Sequence, residues 1–184
     1  MRISSGFAKN KKILSPKIPG IRLTQEIARL AIFSMLGERV QDANCVDLYA
    51  GSGSLGLEAL SRGAASCDFV DINMEATNTI EENFKMHDLM SMKGATFTQD
   101  VIKYVSNTQK EYDIVFLDPY YDQSVHKHMF KLLPNIVQTG GVIVFLHGKD
   151  LNLESTLEGT KLKIVDERHY GASYVTFLKS QTLE

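Results

Sequence analysis

The sequence predicts an α/β domain built on a mostly parallel sheet with helices on both faces. Three observations carry this expectation. Short apolar runs such as Ile114-Val115-Phe116-Leu117 and Val142-Ile143-Val144-Phe145-Leu146 are continuous rather than alternating, as strands buried on both faces are. Segments with apolar residues at helical spacing separate them. A glycine-rich turn joins the first strand-like run to the helix behind it.

Taken in order, residues 2–5 and 12–15 are short apolar-containing runs separated by Gly6 and a Lys/Asn cluster, which reads as a hairpin closed by Pro16 and Pro19. This small lid-like arm, residues 1–23, precedes a main domain at 24–184. Thr24 is placed to cap a helix whose stripe is Ile27, Ala28, Ala31, Ile32 and Met35. A strand at 45–49, a helix at 55–62, a strand at 67–71 and a helix at 75–87 follow, the last with Ile80 and Phe84 on one face. Next come a strand at 95–98, a helix from about Asp100 and the strand at 114–117. A helix then carries Val125, Met129, Leu132, Leu133, Ile136 and Val137, ended by Gly140-Gly141 before the strand at 142–146. Residues 161–168 and 173–179, joined around Tyr170-Gly171-Ala172, form an antiparallel pair at the sheet's edge.

The 184 residues, 43% hydrophobic and 23% charged, suit one core that needs neither disulfide nor metal. No apolar run approaches the ~20 residues that span a bilayer, and the N-terminus has no signal-peptide core, so a cytoplasmic protein is expected. Cys45 and Cys67 begin strand-like runs and read as reduced, buried thiols. The net charge of -2 conceals two unlike parts. Residues 1–29 hold Arg2, Lys9, Lys11, Lys12, Lys17, Arg22 and Arg29 against Glu26 alone, a balance of +6; the other 13 basic and 21 acidic residues leave -8. Such asymmetry marks a basic arm that meets a polyanion.

The turn Asp47-Leu48-Tyr49-Ala50-Gly51-Ser52-Gly53-Ser54-Leu55-Gly56 would bring backbone amides at a helix N-terminus against a ligand at the carboxyl edge of the sheet. Gly51, Gly53 and Gly56 also satisfy the dinucleotide fingerprint, with Asp71 twenty residues beyond Gly51 as a ribose-binding acid. Asp47 discriminates between cofactors. A carboxylate beside this turn would repel a pyrophosphate by ~4 kcal/mol at ~4 Å, but suits the ammonium and sulfonium of S-adenosylmethionine. The candidate cofactor contacts are Asp47, Tyr49, Gly51, Ser52, Gly53 and Gly56, then Asp71 with Ile72 for the ribose, and Asp100 with Val101 for the adenine.

Asp118-Pro119-Tyr120-Tyr121 ends the fourth strand, at the same sheet edge. The lone pair of a nucleobase amino group is delocalised into the ring. Two acceptors, the Asp118 carboxylate and the Pro119 carbonyl, can hold its N–H bonds and draw the nitrogen toward tetrahedral geometry, while a tyrosine stacks on the base. The tetrapeptide resembles the (Asn/Asp)-Pro-Pro-(Tyr/Phe) motif of amino-methyltransferases. With the glycine turn, the stretch Gly56-Leu57-Glu58-Ala59-Leu60-Ser61-Arg62-Gly63-Ala64, the opening Met1-Arg2-Ile3-x-x-Gly6, the segment Arg22-x-Thr24-x-x-x-x-Arg29-x-Ala31-x-Phe33 and Tyr170-Gly171, the chain is similar to the bacterial 16S rRNA guanine-N2 methyltransferases of the RsmD family.

That resemblance implies a Rossmann-like class I methyltransferase fold with six parallel strands and one antiparallel strand near the C-terminus. It also implies methyl transfer from S-adenosylmethionine to N2 of one guanine in 16S rRNA, within the 30S subunit or an assembly intermediate; a monomer without metal is expected. The sequence departs from the family where Tyr120 replaces the second motif proline, Leu23 a proline and Ile27 an arginine, and where His169 precedes Tyr170-Gly171. His126 and His128 lack ligand-spaced partners, and His147 closes a strand near the substrate edge. The alternatives are an amino-methyltransferase acting on adenine N6, a nicotinamide-dependent oxidoreductase and a non-catalytic RNA-binding assembly factor.

Overall fold

The computed structural model describes residues 1–19, 24–86, 93–119, 126–171 and 173–181. Its elements are α1 (Glu26–Leu36), β1 (Asn44–Leu48), α2 (Ser54–Ser61), β2 (Ser66–Asp71), α3 (Met74–Met86), β3 (Lys93–Thr98), α4 (Val101–Asn107), β4 (Tyr112–Leu117), α5 (His126–Leu132), β5 (Val137–Gly148), α6 (Leu153–Leu157), β6 (Leu162–Tyr170) and β7 (Ser173–Ser180). The seven strands form one sheet in the order β3-β2-β1-β4-β5-β7-β6. β1 to β5 pair in parallel, while β7 runs antiparallel to both β5 and β6, so six strands share one direction.

This order places the site. From β1 the chain steps outward to β2 and β3, then returns to β4 on the other side of β1. The connections leaving β1 and β4 therefore diverge, and a crevice opens at their carboxyl ends. Each face has its own core. Ile32 and Phe33 of α1, Leu55 and Leu57 of α2 and Ile80 of α3 pack with Cys45, Phe69 and Phe116 on one face. Val101 and Val105 of α4, Met129 and Phe130 of α5 and Leu153 of α6 pack with Leu48, Val115 and Phe145 on the other. Both cysteines are free thiols, adjacent across β1 and β2, and burial pushes both thiols up in pKa. Among the described residues no helix is long and apolar enough to cross a membrane.

Three expectations are corrected. The helix expected to run through Val137 stops at Leu132; a 3-10 turn at Leu133–Asn135 follows, and β5 already begins at Val137. Pro134 lacks the N–H that a continuing helix requires. Gly140-Gly141 lies inside β5, where Tyr112 pairs with Val137 but Ile114 pairs with Val142, so the extra residues bulge out. Thr24 does not cap α1: the N-cap is Gln25, whose side chain makes no cap hydrogen bond.

The N-terminal hairpin is seated on the body rather than standing off it. Its one bridge pairs Arg2 with Lys12, supported by Ile3 N–H to Lys11 O at 3.0 Å. Ile3, Ala8 and Ile13 are buried in the core shared with α1 and α2. The turn lies against the end of α2, where Phe7 N–H donates to Ser61 O at 2.9 Å. A Cβ at Gly6 would come within 1.7 Å of that same oxygen, so only glycine permits the approach.

Candidate functional site

The turn between β1 and α2 is formed by backbone that favours small residues. Tyr49, Gly51 and Gly53 all have positive φ, at 60°, 54° and 72°. Gly56 serves a different purpose: a Cβ there would meet the Phe69 ring at 2.3 Å and Cys67 Sγ at 2.6 Å, so its absence lets α2 lie directly on β2. The glycines thus divide between sharp turning, at Gly51 and Gly53, and close helix–strand packing, at Gly56.

Two carboxylates brace the turn. Asp47, 2% exposed, accepts from Gly56 N–H at 2.9 Å. Asp71, at the end of β2, accepts from Gly51 N–H at 2.9 Å through one oxygen and from Asn73 N–H at 2.8 Å through the other. Burial pushes the Asp47 carboxyl well above its ordinary pKa; the Gly56 N–H opposes this, while the charges of Asp118 and Asp71 add to it.

These groups line a cavity of about 470 Å³, within the range of small-molecule sites. The turn supplies Asp47, Tyr49, Ala50, Gly51, Ser52, Ser54 and Leu55; the end of β2 supplies Asp71, Ile72 and Asn73. The end of β4 supplies Asp118 and Pro119, and the N-terminal segment closes the remaining side with Ile18, Pro19 and Thr24. Three carboxylates and no lysine or arginine are among the described lining residues. Such a lining fits a cationic ligand and opposes a pyrophosphate, at ~4 kcal/mol per charge pair ~4 Å apart.

The expected residues therefore separate into groups. Asp47, Tyr49, Gly51, Ser52, Asp71, Ile72, Asp118 and Pro119 meet in one cavity. Gly53 and Gly56 shape it from behind. Asp100 is exposed and caps α4, accepting from Lys103 N–H at 2.9 Å, and Val101 is buried behind it; neither lines the cavity. Asp100 is nevertheless close enough for its charge to help burial push the Tyr49 hydroxyl up to about 12. Tyr120, Tyr121 and Arg22 lie outside the described residues.

In the arm, Arg2, Lys9, Lys12 and Lys17 are exposed and Lys11 is half-buried. Arg29 is a correction. It is 0% exposed, its Nε lies 3.4 Å from Glu58 and its Nη2 donates to Arg2 O at 2.7 Å. It points into the protein, where burial lowers its pKa against the opposing charge of Glu58, and it presents no cation to solvent. His147 is likewise internal, 2.8 Å from Thr176 Oγ1 and stacked between Phe145 and Tyr174. Burial lowers its pKa, and it does not line the cavity.

Sequence reasoning missed Ile18, Pro19, Asn73 and above all Thr24, whose hydroxyl donates to Asp118 Oδ2 at 2.7 Å. Asn73 could have been anticipated, since it follows the ribose-type acid by two residues. Nothing local in the sequence joins Thr24 to a residue 94 positions away.

A family model described as conserved hypothetical protein 95 matches residues 1–179. Ribosomal RNA small subunit methyltransferase D of Buchnera aphidicola subsp. Acyrthosiphon pisum is 34% identical over 134 residues, covering 72% of this chain and 69% of the relative. Among solved structures, hypothetical protein TTHA0928 of Thermus thermophilus superposes with a TM-score of 0.80 at 25% identity, covering 99% of each chain. SMU.776 in its complex with SAH superposes with a TM-score of 0.70 at 13% identity, over 85% of this chain and 50% of the other, a likeness of fold alone.

Proposed function

From a chain that belongs to the family described as conserved hypothetical protein 95, we propose an S-adenosylmethionine-dependent methyltransferase of 16S rRNA whose acceptor is the exocyclic N2 amino group of a guanine. One observation carries this reading: the glycine turn and the Asp118-Pro119 strand end open into the same carboxylate-lined cavity. The cofactor, when bound, supplies a methyl group already activated on a sulfonium sulfur. Asp47 supports the binding of its cationic amino-acid end, and Asp71, with Ile72 beside it, the ribose and adenine. Asp100, the cap of α4, lies outside the cavity lining, and its proposed contact with the adenine amino group would need the bound cofactor to reach beyond that lining. The cation-favouring lining supports this cofactor over a dinucleotide.

In the same cavity, Asp118 and the Pro119 carbonyl accept the two N–H bonds of the guanine amine. The amine lone pair is thereby aimed at the methyl carbon, and Tyr120 or Tyr121 stacks on the base. As the N–C bond forms and the C–S bond breaks, nitrogen gains a positive charge, and its surplus proton leaves to Asp118 or bulk water. No nucleophilic residue is required; alignment and electrostatics supply the acceleration. The exposed cations of the arm, Arg2, Lys9, Lys12 and Lys17, with the half-buried Lys11 and with Arg22, follow the RNA backbone into a 30S particle or its assembly intermediate.

Single-turnover methyl transfer to 30S subunits lacking the modification tests the reading. Asp118→Ala is expected to lower the rate at least 100-fold, the scale of losing a positioned acceptor in the transition state, with cofactor affinity preserved. A wild-type rate in that variant would remove Asp118 from the chemistry.

A further inference from the structure

We propose that Thr24 is a positioning residue for methyl transfer, fixing the plane of the Asp118 carboxylate through its hydroxyl. The inference rests on the assignment of Asp118 as acceptor of the guanine amine.

Thr24 Oγ1 donates to Asp118 Oδ2 at 2.7 Å, a charge-assisted hydrogen bond, and both residues line the cavity. The bond links distant parts of the chain: Thr24 stands two residues before α1, and Asp118 directly follows β4. A carboxylate beyond a strand end can rotate about its Cα–Cβ and Cβ–Cγ bonds. Fixing one oxygen sets the direction of the other, and the lone-pair directions of that group decide how the amine is held. Misplacement of a reacting group by about 1 Å can cost on the order of 100-fold in rate.

The local structure argues that this contact is selected rather than incidental. A threonine just ahead of an amphipathic helix is the ordinary material of an N-cap. Here Gln25 occupies the cap position in extended conformation, and its side chain makes no cap hydrogen bond. The chain forgoes a favourable local bond while the nearby hydroxyl is directed across the cavity to the carboxylate. Local rules broken in this way concentrate at functional sites.

The placement also links the two halves of the proposed activity. Ile18, Pro19 and Thr24 line the cavity and belong to the stretch joining the basic hairpin to α1. Binding of RNA along that stretch and orientation of the acceptor carboxylate therefore share a structural element.

The test uses the full-length protein with 30S subunits lacking the modification and compares Thr24→Val, Thr24→Ser, Asp118→Ala and the Val/Ala double variant. Thr24→Val is expected to lower the single-turnover rate roughly 10- to 100-fold, the scale of a hydrogen bond to a charged group. S-adenosylhomocysteine affinity and 30S affinity should change by less than about twofold, while the thermal midpoint falls by a few °C, the scale of losing one hydrogen bond to a charged group. Thr24→Ser, which keeps the hydroxyl, should recover most of the rate. In the Asp118→Ala background the valine substitution should have no further effect, because its action passes through that carboxylate. A full rate for Thr24→Val beside a slow Asp118→Ala overturns the positioning role alone, as does an equal loss in the presence and absence of Asp118. A full rate for Asp118→Ala overturns the functional reading beneath it.

Discussion

Glu58 joins the N-terminal hairpin, α1 and α2 through a single side chain. It accepts from Ser4 N–H at 2.8 Å, Ser4 Oγ at 2.6 Å, Ser5 N–H at 3.1 Å and Arg62 Nε at 2.8 Å, and faces Arg29 across 3.4 Å. Removing a buried anion leaves Arg29 as an uncompensated charge, and its Nη1 already has no acceptor among the described residues. Glu58→Ala is therefore expected to cost about 3–5 kcal/mol in a urea denaturation series. Asp47 gives a second residue-level prediction. Its raised pKa means that the ligand-free protein retains a proton there over a wider pH range, whereas a cation beside it requires the ionised form. Affinity for S-adenosylhomocysteine should rise with pH until Asp47 is fully ionised, and binding should release a proton. Calorimetry in buffers of different ionisation heat reads that release, and Asp47→Asn should abolish it.

At the level of elements, Gly56 tests how closely α2 must approach β2. A methyl group there, 2.3 Å from the Phe69 ring, forces the helix or the ring to move, and overpacking of this kind costs about 1–3 kcal/mol. Because α2 begins at the glycine turn, Gly56→Ala should also weaken S-adenosylhomocysteine binding in a calorimetric titration. The alternation of strands and helices was legible because buried parallel strands and amphipathic helices have different periods. The segment 132–137 was not, since an apolar run packs equally well at the end of a helix and at the start of a strand. Pro134 was the signal that decided between them. The site was legible where chemistry is local, in the glycine turn and in Asp118-Pro119. It was not legible where a contact joins segments distant in sequence, as for Thr24 ahead of α1 and Asp118 after β4. Arg29 shows the complementary failure: a count of charges along the chain does not distinguish a cation facing solvent from one enclosed with Glu58.

For the whole molecule, the charge division between residues 1–29 and the remainder acquires a narrower meaning. Arg29 belongs to the interior, which leaves Arg2, Lys9, Lys11, Lys12 and Lys17 among the described cations of the arm, with Arg22 outside the described residues. If five or six of these meet phosphates, log affinity for 16S rRNA should fall with log salt at a slope of about -3.5 to -4.2, using ~0.7 per contact for single strands. Fluorescence anisotropy across a salt series measures the slope, and replacing Lys9 and Lys12 with alanine should make it shallower by about 1.4. Asp47, Asp71 and Asp118 line the cavity that the end of the arm closes with Ile18 and Pro19, so under the proposed function a chain of net charge -2 would meet a polyanion and a cation on adjoining surfaces. The central claim is that this edge methylates a guanine amine. Its most direct test is to incubate the protein and isotopically labelled S-adenosylmethionine with 30S subunits lacking the modification, then identify the labelled nucleoside by mass spectrometry. N2-methylguanosine at one position of 16S rRNA is the predicted product; N6-methyladenosine, or bound cofactor with no transferred label, would contradict the account.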